Sequence, residues 1–186
     1  MRSISEVKDY LKKYQVNDND IIDILNRLKD LKLVDDNMLA NLILESTINN
    51  HKGPNIFIQK VKQRKLDINI NEFVYEKDIE EEVIDKVIKK YLDNNKELPI
   101  KKQKEKIYTK LLRDGFSNDL ISKCINKVTF LDNSYLSLEK DINKALFKYR
   151  NLDLKEKKEK VLSNLMRKGY SYSQIVSKIN SIDNQD

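Results

Sequence analysis

The amino-acid sequence predicts an all-α fold: tandem three-helix repeats stacked into an elongated, curved module with right-angle turns. Three observations carry that expectation. The run Lys106-Ile107-x3-Leu111-Leu112-Arg113-Asp114-Gly115-Phe116-Ser117 returns 54 residues later as Lys160-Val161-x3-Leu165-Met166-Arg167-Lys168-Gly169-Tyr170-Ser171. Apolar residues recur at helical spacing along most of the chain. Only 3 Gly and 2 Pro occur in 186 residues, too few turn formers for a sandwich or barrel. A fixed internal period marks units that bury their apolar faces by stacking on one another.

The elements follow in order. In a first unit, residues 1–50, Val7, Leu11, Val16, Asn17, Ile21 and Leu25 fall on Ile107, Leu111, Phe116, Ser117, Ile121 and Ile125 at an offset of 100, with Gln15 in the glycine position. Its third helix starts after Leu33-Val34-Asp35-Asp36, with Asp36 expected as the N-cap. A second unit, 51–98, opens at Gly53-Pro54, where proline suits the first helical turn. Phe57, Val61 and Leu66 align there at an offset of 50, and Lys65 takes the glycine slot. Glu80-Glu81-Glu82, set among Ile79, Val83, Ile84 and Val87, is expected to form a solvated helix face. A looser joint is expected at Asp93–Glu97.

The third unit, 99–152, places Ile107, Leu111 and Leu112 on one helix face. Leu120, Ile121, Cys124, Ile125 and Val128 share a face on the next. Between them Gly115 suits the left-handed position past a helix end, Phe116 packs into the elbow, and Ser117 caps the following helix. Asn133 is expected to cap the third helix. A partial two-helix unit, 153–186, repeats the elbow as Gly169-Tyr170-Ser171, followed by Ile175, Val176, Ile179 and Ile182.

Composition excludes several functional classes. A single cysteine among 186 residues rules out an internal disulfide framework. No window approaches about 18 uninterrupted apolar residues, so no membrane segment is expected, and the expected location is the cytoplasm. The single histidine, His51, has no cysteine or second histidine near it, so no metal site and no cofactor are expected. Cys124 lies on an apolar face as a small hydrophobe rather than a nucleophile. No glycine-rich phosphate loop is present. The residues predict a binding protein, expected to be a monomer, and not an enzyme.

Charge narrows the class of partner. Residues 99–186 carry 19 Lys and Arg against 11 Asp and Glu, while residues 1–98 carry 17 against 19. The basic half holds lysines that recur in register. Lys101, Lys102, Lys104 and Lys106 precede the Leu111 helix, and Lys155, Lys157, Lys158 and Lys160 precede the Leu165 helix; Arg113 matches Arg167. Lysines at a helix start oppose the macrodipole, so packing alone does not explain them. Parallel cationic ridges suit a phosphate backbone or an acidic protein groove.

These motifs resemble the RecX family of regulatory proteins. Arg2-Ser3-x-Ser5-Glu6-Val7-x3-Leu11 resembles its opening, and Leu33-Val34-Asp35-Asp36-x2-Leu39-Ala40 resembles its "Y-L-D-D-x2-F-A" signature. Lys52-Gly53-Pro54 through Leu66-Asp67 resembles its "K-G-P" segment, and Leu111-Leu112-Arg113-Asp114-Gly115-Phe116 its closing helix pair. The resemblance covers residues 2–129 in family order. The family replaces Lys65-Leu66 by Gly-Ile and carries an aromatic near Met38-Leu39, so a strained turn is expected at Lys65.

The resemblance implies tandem three-helix repeats that bind the RecA recombinase and its single-stranded-DNA filament. It implies restraint of RecA's ATPase, strand-exchange and coprotease activities, with weak direct DNA binding. The cationic residues that recur in register, Lys101, Lys102, Lys104, Lys106, Arg113, Lys155, Lys157, Lys158, Lys160 and Arg167, are the expected contacts with RecA or DNA. The structural signature is Asp35, Asp36, Gly53, Pro54, Gly115, Phe116, Gly169 and Tyr170. A stand-alone helical DNA-binding protein and a helical interaction scaffold are the alternatives.

Overall fold

A computed structural model describes residues 1–183 and side chains to residue 180; Ile182, expected in the last core, lies outside the described side chains. Among the described residues every regular element is helical: α1 (Ile4–Lys13), α2 (Asp18–Asp30), α3 (Asp36–Asn49), α4 (Pro54–Gln63), α5 (Lys77–Asn94), α6 (Ile100–Arg113), α7 (Asn118–Lys127), α8 (Tyr135–Lys148), α9 (Leu154–Arg167) and α10 (Tyr172–Asp183). Between α4 and α5, where a further α-helix was expected, the chain makes only a 3-10 turn, Ile70–Glu72. The local sequence explains this. β-Branched Ile68 and Ile70 alternate with asparagines, and the Asn69 side chain accepts the Asn71 N–H at 3.2 Å, a bond that competes with helix.

Six helices end the same way. After α1, α2, α3, α4, α6 and α9 one residue has positive φ: Gln15 (58°), Lys32 (53°), His51 (56°), Lys65 (51°), Gly115 (93°) and Gly169 (102°). The residue after each donates its N–H back across the last turn, as Phe116 does to Leu111 O at 3.2 Å and Lys52 to Thr47 O at 2.9 Å. This is the Schellman closure, which satisfies carbonyls that the helix leaves unpaired. Only two of the six positions are glycine. His51, the single histidine, is one of the six turning points.

Capping closes the helix starts. Ser3 and Glu6 form a capping box on α1, Asn17 caps α2, and Ser171 with Gln174 forms the corresponding box on α10. Ser117 caps α7 through Leu120 N at 3.4 Å. Two caps differ from expectation. Asp35, not Asp36, caps α3 through Met38 N at 2.9 Å. Asn133 does not cap α8; Asp132 Oδ1 instead accepts from Ser134 N (3.1 Å) and Oγ (2.5 Å) ahead of the helix. The stretch after α5 is tied down rather than loose: Asn95 Nδ2 donates to Tyr91 O, Leu98 N to Asn95 O, and Gln103 Nε2 to Leu98 O.

The fold divides into two compact units. One comprises Met1–Val87 with Leu111–Ile121, the other Ile88–Lys110 with Ser122–Asp186. In the first, Leu39, Ala40 and Ile43 of α3 pack on Phe57 and Val61 of α4, with Ile68, Ile70 and Phe73 of the 3-10 segment against them. In the second, Leu138, Ile142 and Ala145 of α8 meet Val161 and Leu165 of α9, Tyr170, and Ile175 of α10. Ile107, Leu111, Phe116, Ile121 and Cys124 are buried as the repeat requires, but Leu112 and Met166 are each 47% exposed. One residue advances the helix by about 100°, which turns Leu112 away from the face that Leu111 occupies.

Leu111→Ala should therefore lose about 2–5 kcal/mol through cavity formation, whereas Leu112→Ala should stay within about 0.5 kcal/mol; equilibrium urea unfolding of the two variants checks the contrast. At the helix ends, Gln15→Gly should raise stability by up to about 1 kcal/mol, because glycine adopts positive φ without the Cβ clash. A lowered melting temperature for Gln15→Gly would contradict that reading.

Candidate functional site

The residues carrying the family-like motifs build polar junctions. At the first, Ser3 is fully buried and its Oγ donates to Arg64 O at 2.8 Å. Arg64 grips Glu6 with two bonds, Nε to Oε1 (2.9 Å) and Nη2 to Oε2 (2.8 Å), and reaches Met1 O. Buried Asp36 accepts from Ile4 N (2.9 Å) and from Asp67 N (3.0 Å), joining the start of α1 to the segment after α4. Lys65, strained at φ +51°, pairs with Asp9 at 2.8 Å.

The second junction sets the start of α4 on the α6 elbow. Gly53 N donates to Asp114 O at 2.7 Å and Asn55 N to Gly115 O at 3.2 Å. A Cβ on Gly53 would lie 2.5 Å from Gly115 C and O, so the backbones touch where a side chain would sit. Lys52 Nζ reaches buried Asp114 at 2.6 Å. Ser3 maps on Gly53 and Arg64 on Asp114 at an offset of 50, so both junctions are one device. A third use pairs the α9 elbow with the first turn of α6. There a Cβ on Gly169 would lie 3.3 Å from Pro99 Cβ and 3.5 Å from Lys102. Tyr170 anchors that elbow through Ser137 and Asp141, each at 2.9 Å.

Glu80 departs from its expected solvated face. It is 8% exposed, and Oε1 has no hydrogen-bond partner among the described residues. Comparing the repeats supplies the reason. At an offset of 44, Asp36, Leu39, Ala40 and Ile43 fall on Glu80, Val83, Ile84 and Val87, all buried. The donor that Asp36 finds at Ile4 N has its counterpart at Pro54, which has no N–H. Burial, then the neighbouring Glu81 charge, pushes the Glu80 carboxyl above its ordinary range. Nearby Tyr75, pushed up to about 12 by burial and then by Glu80, donates to Lys52 O at 3.1 Å.

The predicted cationic residues lie within the helices rather than before them. Lys101, Lys102, Lys104 and Lys106 occupy the first two turns of α6, and Lys155, Lys157, Lys158 and Lys160 those of α9. Each set divides around a buried face. Lys101 and Lys104 flank Gln103–Ile107–Leu111 on one side, and Lys102, Lys106 and Arg113 flank it on the other. On α9, Lys155 and Lys158 hold one flank of Val161–Leu165, and Lys160 and Arg167 the other. Lys157 is half-buried at the place of Gln103. Lys102 is taken up by Glu105 at 2.9 Å, and Lys104 lies over the Phe130 ring at 5.0 Å. Lys101, Lys106, Arg113, Lys155, Lys158, Lys160 and Arg167 are exposed.

Sequence reasoning missed Asp114, Glu80 and the outer face of α8. A signal for the last was present: at an offset of 58, Val87-Ile88-x2-Tyr91 falls on Ala145-Leu146-x2-Tyr149, which sets Phe147 on Lys89, a solvent position.

The fold and these surfaces define a helical-repeat protein with cationic helix faces. Residues 78–125 match the family model described as RecX, third three-helix domain. A regulatory protein RecX of Streptococcus pyogenes serotype M5 (strain Manfredo) is 34% identical over 186 residues, covering 96% of this chain and 71% of the relative. One from Streptococcus pneumoniae (strain Hungary19A-6) is 29% identical, covering 95% and 70%. The crystal structure of RecX from Lactobacillus salivarius superposes with a TM-score of 0.61 at 27% identity, covering 68% of this chain and 85% of that one. The chain belongs to the RecX family.

The two carboxyls have opposite pH signatures. The Arg64 hydrogen bond holds Glu6 down at about 2, so its stabilisation is present above the ordinary carboxylate range and lost as pH falls toward that value. Glu80 is raised, so its contribution is complete below the ordinary value of 4.5 and lost as pH rises through the folded value. Melting curves from acid to neutral pH should show Glu80→Gln more stable than the parent at neutral pH and level with it in acid. Glu6→Gln should be less stable at neutral pH, with the gap closing in acid.

Proposed function

We propose that this chain binds the RecA recombinase on its single-stranded-DNA filament and restrains ATP hydrolysis, strand exchange and coprotease activity. The carrying observation is membership of the RecX family over nearly the whole chain. The two lysine-bearing helices, α6 and α9, support the choice of an anionic assembly as partner. The filament presents phosphate backbone and acidic protein surface side by side, and either is attracted by the exposed flanks Lys101/Lys104 and Lys155/Lys158. In this reading Lys106, Lys160, Arg113 and Arg167 form the second flank, and Lys102 and Lys157, held closer to the fold, contribute least. The chain acts by occupancy, in the cytoplasm, with no cofactor.

A titration of the protein into RecA hydrolysing ATP on single-stranded DNA is expected to slow turnover in proportion to filament bound. Full turnover at saturating protein, with no co-sedimentation on filaments, would sink the proposal. Replacing Lys101, Lys104, Lys155 and Lys158 together by Glu should weaken filament binding by about tenfold or more at moderate salt without unfolding the protein. Unaltered affinity would remove these four residues from the interface.

A further inference from the structure

The outward face of α8 carries a feature that the α6 and α9 lysines do not share. Leu136, Lys140, Asn143, Lys144 and Phe147 recur at helical spacing opposite the buried Leu138–Ile142–Ala145 face. Phe147 is 68% exposed and Leu136 56%, large apolar groups held in water at either end of the stripe. The Arg150 guanidinium lies over the Phe147 ring, 4.2 Å from its centre, so one side of the ring is already covered by a cation. Leu136, Glu139, Lys140, Asn143, Lys144 and Phe147 form one open surface patch along α8. Its single carboxylate, Glu139, is engaged by Lys178 at 2.7 Å, which leaves the patch cationic.

We propose that this face of α8 is a separate binding platform for single-stranded nucleic acid. Phe147, backed by Arg150, supplies the stacking surface for an unpaired base, and Lys140 and Lys144 supply the phosphate contacts. The two lysines are four residues apart on one helix, about 6 Å along its axis, so they act as a pair along one strand. Stacking on an exposed ring is open to every base and demands that the base be unpaired, which sets the preference for single strands over duplex. An acidic protein segment would satisfy the lysines but would leave the Phe147 ring in water. For its ligand the platform does not rest on RecA, since it needs only the strand.

The test is direct binding, without recombinase, to a fluorescent oligo-dT and to a duplex of equal length, across a salt series. The parent protein is expected to bind oligo-dT more tightly than duplex. Phe147→Ala should weaken oligo-dT binding by about tenfold or more with little change in salt dependence, because the lost interaction is stacking. Lys140→Gln with Lys144→Gln should lower the slope of log affinity against log salt by roughly 1.4, about 0.7 per phosphate contact on single strands. Circular dichroism checks that both variants remain folded. Equal affinity for duplex, an unchanged affinity of Phe147→Ala, or displacement of oligo-dT by poly-glutamate at matched charge would each overturn the assignment. Unchanged oligo-dT affinity of Phe147→Ala, with filament inhibition intact in the parent protein, would leave the RecA proposal standing while this one falls.

Discussion

A backbone contact with no room for a side chain governs the first unit. Gly53 and Gly115 meet with their main chains touching, and Asp114 O takes the Gly53 N–H at 2.7 Å. That contact fixes where α4 begins relative to the elbow at Asp114-Gly115. Around it the remaining groups fall into place: Lys52 neutralises Asp114, Tyr75 braces the Lys52 carbonyl, and Phe116 fills the space under the elbow. A side chain at residue 53 would force the two backbones apart, since its Cβ would lie 2.5 Å from Gly115 C and O and 2.7 Å from Phe116 N.

The same junction appears in three chemical versions, and the differences show what each repeat requires. At the Ser3–Arg64 version a hydroxyl does the work of the Gly53 amide, and an Arg–Glu clamp and the doubly bonded Asp36 complete it. At the Pro99–Gly169 version, Gly169 packs on Pro99, and Asp141 joins the Tyr170 hydroxyl (2.9 Å) and an ion pair with Lys168 (2.8 Å) at the elbow. The middle version keeps an acid at the position of Asp36 but has exchanged its donor for proline. Glu80 is consequently a buried carboxylate whose Oε1 has no hydrogen-bond partner among the described residues.

The helices, their elbows and most of the core were legible because they depend on local chemistry and period. Gly115 and Gly169 announce positive φ, and Leu111, Ile121 and Ile175 repeat at the spacing that buries them. Leu112 was misplaced because two adjacent apolar residues fit a stripe in outline, yet they differ by a full helical step. Asp36 and Glu80 were misread for a different reason. A carboxylate in a string of polar residues gives no sign of whether it faces water or a buried amide from a segment 31 or more residues away. The lysines of α6 and α9 were found by recurrence, and the α8 stripe was not, since it occurs once.

The junctions also dictate an order of assembly during synthesis. Ser3 must wait for Arg64, Gly53 for Asp114, and Pro99 for Gly169, so each helix start emerges from the ribosome about sixty or seventy residues before the elbow that receives it. Until then the first amides of that helix lack their partners in the elbow. A nascent chain of this protein is therefore always one junction behind its own length. A break in translation between residues 66 and 114 would leave α4 packed on α3 but with its first turn unpaired, because Asp114 and Gly115 would not yet exist.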